Sequence, residues 1–255
     1  MKMKNKFLFT VCLSFCSITP LLAQQFIDKA VVEYEVKTNV KKTMGNSSFA
    51  EMLKDKLPQF KTAYYNLSFA NNKSIFKFDH WEPNSTMPEF LRRNDEDNIW
   101  YFDYNQGTSS IQKGVFGTMF NIEDSIKHIN WKFENENRMI AGFSCRKAVG
   151  IIMDSVYVFA FYTDEITIPG GPCSVNGLPG LIMGMTIPRL YTSYIATKVM
   201  LNDVNVAAIK PIPSKKPMSF TELKKTFIER TKEWGGGDDE DSKKWIDQLL
   251  WNTFL

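Results

Sequence analysis

Few residues in this chain are of types that do chemistry. It has only two histidines, His80 and His128. A hydrolytic triad needs a base held against a nucleophile, and no Gly-x-Ser-x-Gly elbow surrounds a serine. His128 alternates with Ile129 and Trp131, so it reads as a solvated strand position rather than a base. Cys145 and Cys173 are 28 residues apart, not in the Cys-x-x-Cys spacing of a redox centre. No histidine, cysteine or carboxylate cluster has metal-ligand spacing. Asp238 to Asp241 lacks the spacing of a calcium loop and suits the start of a helix, where the macrodipole favours acids. Met183 and Met185 share a strand face; they could meet a soft cation such as Cu(I), or fill a core. Gly170-Gly171-Pro172 is not followed by Gly-Lys-Ser/Thr, so it is no phosphate loop. The pattern points to a non-enzymatic protein with no cofactor and no metal.

What stands out instead is backbone restriction. The run from Gly171 to Ile182, Gly-Pro-Cys-Ser-Val-Asn-Gly-Leu-Pro-Gly-Leu-Ile, is dense in residues that limit or extend φ. Pro179-Gly180 fits the centre of a type II turn, and Leu178 before the proline is driven to extended geometry. The spacing predicts a rigid loop that delivers a strand at Leu181.

The elements around it are mostly strands. Ala30–Lys37 alternates. Lys61–Ala70 and Lys73–Phe78 flank Asn71-Asn72, a hairpin turn that tolerates positive φ. Asn98–Tyr104 and Thr108–Gln112 follow, joined at Asn105-Gln106-Gly107. Ile126–Phe133, Met139–Ile152, Ser155–Thr163, Leu181–Ile187 and Leu190–Leu201 complete the set, the last two hinged at Pro188-Arg189. A short helix is expected over Phe49–Leu57, and residues 80–97 read as a long surface loop. Short strands in succession predict an antiparallel meander. The fold class is mainly β (α+β), a curved antiparallel sheet or half-barrel whose apolar face needs helical cover.

Cover is expected from the helix over Phe49–Leu57 and from the C-terminal end. Pro211, Pro213 and Pro217 make a stiff connector. Ser219 with Glu222 forms a capping box for a helix from Phe220 to about Trp234, Gly235 to Gly237 stop it, and a last helix carries Trp245, Leu249 and Trp251. The domains are therefore a leader over 1–23, a β domain over 24–210 and a helical extension over 211–255.

The leader has a secretory signature: Lys2, Lys4 and Lys6, an apolar run to Ile18, and a small residue at Ala23, after which cleavage is expected. The chain holds 31 basic and 28 acidic side chains; losing three lysines balances them, so nothing favours nucleic acid. No later stretch is apolar for long enough to span a bilayer. Cys12 and Cys16 leave with the leader. Cys145 and Cys173 remain as an even pair in an oxidising compartment, which predicts a disulfide; the alternative is two buried thiols. Aromatic residues are 14% of the chain and fall largely in strands, which suits either an apolar ligand groove or a sheet core.

Gly177-Leu178-Pro179-Gly180-Leu181-Ile182 spells the motif that names the GLPGLI family, and the chain resembles that family over residues 140–185. Gly142-Phe143-Ser144-Cys145-Arg146-Lys147-Ala148 is similar to its Gly-x-x-Cys-x-Lys-Ala segment. Ala160-Phe161-Tyr162-Thr163, Ile166 and Gly171-Pro172 are similar to its Ala-Trp-Tyr-Thr, Ile-Pro and Gly-Pro run. Phe161, Thr167 and Cys173 depart from it, standing where tryptophan, proline and an aromatic residue are usual. The resemblance implies an exported envelope protein of the Bacteroidetes, encoded near TonB-dependent outer-membrane receptors, and supplies no catalytic residue. The strand order is also similar to the half-barrels of LolA-type periplasmic carriers. The expected role is binding of an apolar ligand or an envelope partner, with Tyr162, Pro172 and Gly177, Leu178, Pro179, Gly180, Leu181 and Ile182 as the candidate contact residues or structural corner. The alternative is a periplasmic metal-handling protein, for which Met183, Met185, His80 or His128 would have to converge.

Overall fold

The computed structural model describes residues 26–43, 56–115, 117–214, 216–233 and 240–255. The leader and most of the segment expected to be helical at 49–57 lie outside these residues.

Eleven antiparallel strands form one sheet. They are β1 (Ala30–Asn39), β2 (Phe60–Ala70), β3 (Lys73–Trp81), β4 (Ile99–Asp103), β5 (Thr108–Val115), β6 (Thr118–Ser125), β7 (Asn130–Ile140), β8 (Phe143–Ile152), β9 (Val156–Thr163), β10 (Leu181–Ile187) and β11 (Thr192–Met200). Two of the connections are two-residue turns with both central residues at positive φ, Asn71-Asn72 at 53° and 56° and Ala141-Gly142 at 48° and 88°; the three-residue connection 153–155 also has two, Met153 at 48° and Asp154 at 62°. That backbone twist matches the twist of the flanking strands.

The sheet order is β6-β5-β4-β3-β2-β1-β11-β10-β9-β8-β7. Two meanders meet where β1 pairs with β11, from Val31 opposite Met200 to Thr38 opposite Thr192. The two edge strands, β6 and β7, are consecutive in the chain and joined only by residues 126–129. Ten strand spacings laid flat would separate them by about 48 Å. Five Cα steps reach no further than about 19 Å. The sheet must therefore curl until its edges nearly meet, giving an open half-barrel.

One large apolar cluster lines the concave face. Tyr34, Leu67, Phe69, Phe76, Val158 and Ala160 point into it from the strands. The hollow is filled by the connection between β9 and β10, which adds Ile166, Ile168, Val175 and Leu178, and by the helices α3 (Phe220–Glu233) and α4 (Glu240–Phe254), which add Leu223, Phe227, Trp251 and Phe254. Phe120 of β6 meets Phe227 edge-on, with centroids 5.7 Å apart. The capping box at α3 is formed: the Ser219 N–H donates to Glu222 Oε2 at 2.7 Å, and the Glu222 N–H donates to Ser219 Oγ at 3.2 Å. Both satisfy orphan donors of the first turn.

The strand boundaries correct the sequence reading in several places. Residues 80–97 are not all loop: β3 runs to Trp81, and a helix α2 spans Glu89–Glu96. It starts right after Pro88, whose extended backbone (ψ 143°) suits the boundary. β6 was not expected, because only Phe120 and Ile122 mark its buried phase. The run 139–152 is two strands broken at Ala141-Gly142. His128 lies in the connection before β7, not on a strand. A four-residue helical turn α1, Val40–Thr43, follows β1.

Candidate functional site

The corner at Gly177–Ile182 is held from every side. The Gly177 N–H donates to Pro169 O at 2.9 Å, the Leu181 N–H to Ile166 O at 3.0 Å and the Ile182 N–H to Gly170 O at 2.9 Å. Trp131 Nε1 donates to Asn176 O at 3.0 Å, and the Tyr34 hydroxyl to Ile182 O at 2.7 Å. The expected type II turn is replaced by a tighter one. The Gly180 N–H donates to Leu178 O at 2.8 Å, a three-residue turn around Pro179. Gly180 sits at φ 147°, and a Cβ there would lie 2.0 Å from Thr163 O. Close packing on the end of β9 therefore sets the turn type.

Of the candidate contact residues, only Gly177 and Pro179 are exposed. Pro172, Leu178, Gly180, Leu181 and Ile182 are buried. Tyr162 is buried on β9 against Phe133 (centroids 6.0 Å), with the Arg146 guanidinium 5.4 Å from its ring centroid. These residues come together as a plug inside the half-barrel rather than as an outward surface.

The expected disulfide is absent from this structure: Cys145 and Cys173 are both buried free thiols. They occupy separate environments. Cys145 on β8 donates to Phe143 O at 3.5 Å, and Cys173 in the plug donates to the Tyr194 hydroxyl at 3.5 Å. Burial pushes each thiol up to about 12, so neither is a ready thiolate.

The four residues of the metal-handling alternative do not converge. Met183 and Met185 are fully buried on β10. His80 is exposed on β3, stacked on Tyr64 at 4.6 Å and bonded to Asp79 at 2.7 Å. β3 and β10 are four strand spacings apart in the sheet order, about 19 Å along it. Among the described residues no group of three or more His, Cys, Asp or Glu side chains could hold a metal ion.

A different site emerges beside the plug. A cavity of about 320 Å³ opens between the concave face, α2 and the end of α4. Its floor is aromatic: Tyr65 stacks on Phe76 at 5.1 Å, and Phe76 meets Trp100 at 5.7 Å. Val36, Ala63 and Leu190 add aliphatic wall. Its rim carries the Lys61–Asp95 ion pair, and it reaches the surface at Thr43 and Asn252. Cys173 and Tyr194 bring the plug and β11 to its edge, and the Tyr194 hydroxyl donates to Leu255 O at 3.3 Å.

Lys113 of β5 is the unusual member. It shares the inward phase of its strand with Ile111 and Val115, and its Nζ lies 4.7 Å from the Trp100 ring centroid. Burial holds its ammonium below the usual lysine range, although Cys173 and Asp95 act the other way. Burial likewise raises the phenols of Tyr65 and Tyr194, keeping both protonated. Lys113 leaves one signal in the sequence: a charge in the apolar phase of an Ile-x-Lys-x-Val alternation.

No protein-family model and no curated protein matches the chain. Two solved structures of PNGF-II, in different space groups, are similar to it. One has 12% identity and a TM-score of 0.49 and covers 77% of this chain. The other has 13% identity and a TM-score of 0.46 and covers 75%. The chain spans about a third of their length, 32% and 30%.

No helix among the described residues is long and apolar enough to cross a membrane.

Proposed function

We propose that this chain is a non-enzymatic binding protein of the cell envelope whose half-barrel takes up a small amphiphile. The observation that carries the reading is the cavity: about 320 Å³ of open space on the concave face, within the range of small-molecule sites. A sheet that needed only a core would be packed there as closely as beneath the plug. The aromatic and aliphatic floor suits an apolar body, and the polar rim suits a head group. Export through a leader ending at Ala23 belongs to the same proposal and rests on the charge and apolar pattern of residues 1–23; membership of the GLPGLI family and service to a TonB-dependent receptor belong to it too and rest on the sequence resemblance. Under it the Gly177–Ile182 corner is scaffold, because six of the eight candidate contact residues are buried.

A neutral apolar dye, N-phenyl-1-naphthylamine, tests the reading by fluorescence titration. The wild-type protein should enhance its emission saturably. Ala63→Leu, which fills the cavity wall, should weaken that binding while leaving the circular dichroism spectrum unchanged. Dye binding that is not saturable, or that Ala63→Leu leaves untouched, would remove the cavity as the binding site.

A further inference from the structure

The polar groups of this cavity are unevenly matched, and the imbalance has a sign. Several of its acceptors are engaged. The Asp95 carboxylate holds Lys61. The Thr38 and Thr192 hydroxyls bond each other at 2.9 Å, and Asn98 Oδ1 accepts the Gly114 N–H at 3.0 Å. The Tyr194 hydroxyl accepts from Cys173 and donates to Leu255 O. Donors are left over. Among the described residues, neither the Lys113 ammonium nor the Tyr65 hydroxyl has a hydrogen-bond or ion-pair partner, and the buried Trp100 indole N–H has none. The Trp100 ring face offsets the lysine charge through the ammonium–quadrupole attraction, and Asp95 acts on it from beyond ion-pair distance.

A half-buried ammonium without a carboxylate partner is costly to keep. A ligand with an anionic oxygen acceptor would complete it, with the Tyr65 hydroxyl as a second donor. Resting on the cavity reading above, we infer that the amphiphile is a carboxylate, seated with its head group on Lys113 and its apolar body over the Tyr65–Phe76–Trp100 floor. The Lys61–Asp95 pair does not compete for the role, since Lys61 already has its counterion.

The inference separates from the broader reading by comparing a carboxylate with its alcohol. Isothermal titration calorimetry of decanoate and decanol with the intact protein supplies the contrast. Decanoate should bind about ten- to a hundredfold more tightly, the range expected for a hydrogen bond to a charged group. Lys113→Met should bring decanoate down to the alcohol's affinity and leave decanol unchanged. A measurement on the wild type alone guards against a variant that fails to fold. Decanoate affinity should fall as pH rises through the lowered pKa of Lys113, while decanol affinity stays level. The groups facing Lys113 are Asp95 on α2, Lys61 and Tyr65 on β2, Cys173 in the plug and Tyr194 on β11. Equal affinities for acid and alcohol, with no pH dependence, would overturn the carboxylate inference and leave the cavity reading standing. Failure of both compounds to bind would overturn both.

Discussion

Replacing the buried Gly180 should damage this fold more than replacing its exposed neighbour in the corner, Gly177, and the size of the difference can be worked out. Gly180 is held at φ 147°, and an added Cβ would sit 2.0 Å from Thr163 O, 2.7 Å from its carbonyl carbon and 2.9 Å from Asp164 Cα. All three are backbone atoms, so no side-chain rotation relieves the clash. Backbone strain of this kind costs about 1–3 kcal/mol, and forcing extra volume into a packed site costs about another 1–3 kcal/mol. Gly180→Ala should therefore lose about 2–6 kcal/mol, a large share of the roughly 5–15 kcal/mol typical of a folded domain. Gly177→Ala is the matched control. Its φ is 89°, but the nearest atom to its added Cβ is Trp131 Nε1 at an ordinary 3.7 Å, so only the strain of about 1–3 kcal/mol applies. Urea unfolding followed by circular dichroism reads both, as shifts of midpoint at unchanged slope. If the two variants lose the same stability, or Gly180→Ala loses less than about 1 kcal/mol, the clash argument fails.

Three further outcomes follow from particular contacts. Thiol titration of the denatured, unreduced protein should find Cys145 and Cys173 free; protection of both would restore the disulfide. Tyr34→Phe removes the 2.7 Å hydrogen bond to Ile182 O across the core, so it should cost about 0.5–1.5 kcal/mol; a neutral effect would mean the corner does not depend on it. The lowered pKa of Lys113 means the unfolded chain binds more protons between that value and the ordinary lysine pKa of about 10.4. Wild-type stability should therefore rise with pH across that window relative to Lys113→Met and run parallel to it above the window; profiles parallel throughout would show that Lys113 is not burdened by burial. The comparison is made as a difference because the buried thiols and the Tyr34, Tyr65 and Tyr194 phenols, raised by burial, lower stability as pH rises.

What was legible in the sequence was local. Asn71-Asn72 announces a hairpin because asparagine tolerates the positive φ such a turn demands, and Ser219 with Glu222 announces a helix start because both partners lie within one turn. Gly177–Ile182 announces a rigid corner for the same reason. Its turn type was not legible, since that depends on how closely Gly180 presses on Thr163, a contact set by strand pairing. β6 was hidden because its buried phase holds only Phe120 and Ile122, and α2 because Phe90 and Leu91 are the only apolar residues in its charged and polar run after Pro88. The break at Ala141-Gly142 was masked by an alanine in a conformation alanine rarely takes. The cavity was the least legible feature. Tyr65, Trp100, Lys113, Asp95 and Tyr194 lie on five elements, and only the pairing of β1 with β11 and the curl of the sheet bring them together. Lys113 alone left a trace, as a charge out of phase.

The central claim is that the half-barrel carries a small molecule, and native mass spectrometry of the protein purified from the cells that make it tests it most directly. The account predicts a native mass exceeding the denatured mass by one small carboxylate, lost in Lys113→Met. Equal native and denatured masses, in protein that was never exposed to detergent or solvent, would contradict it.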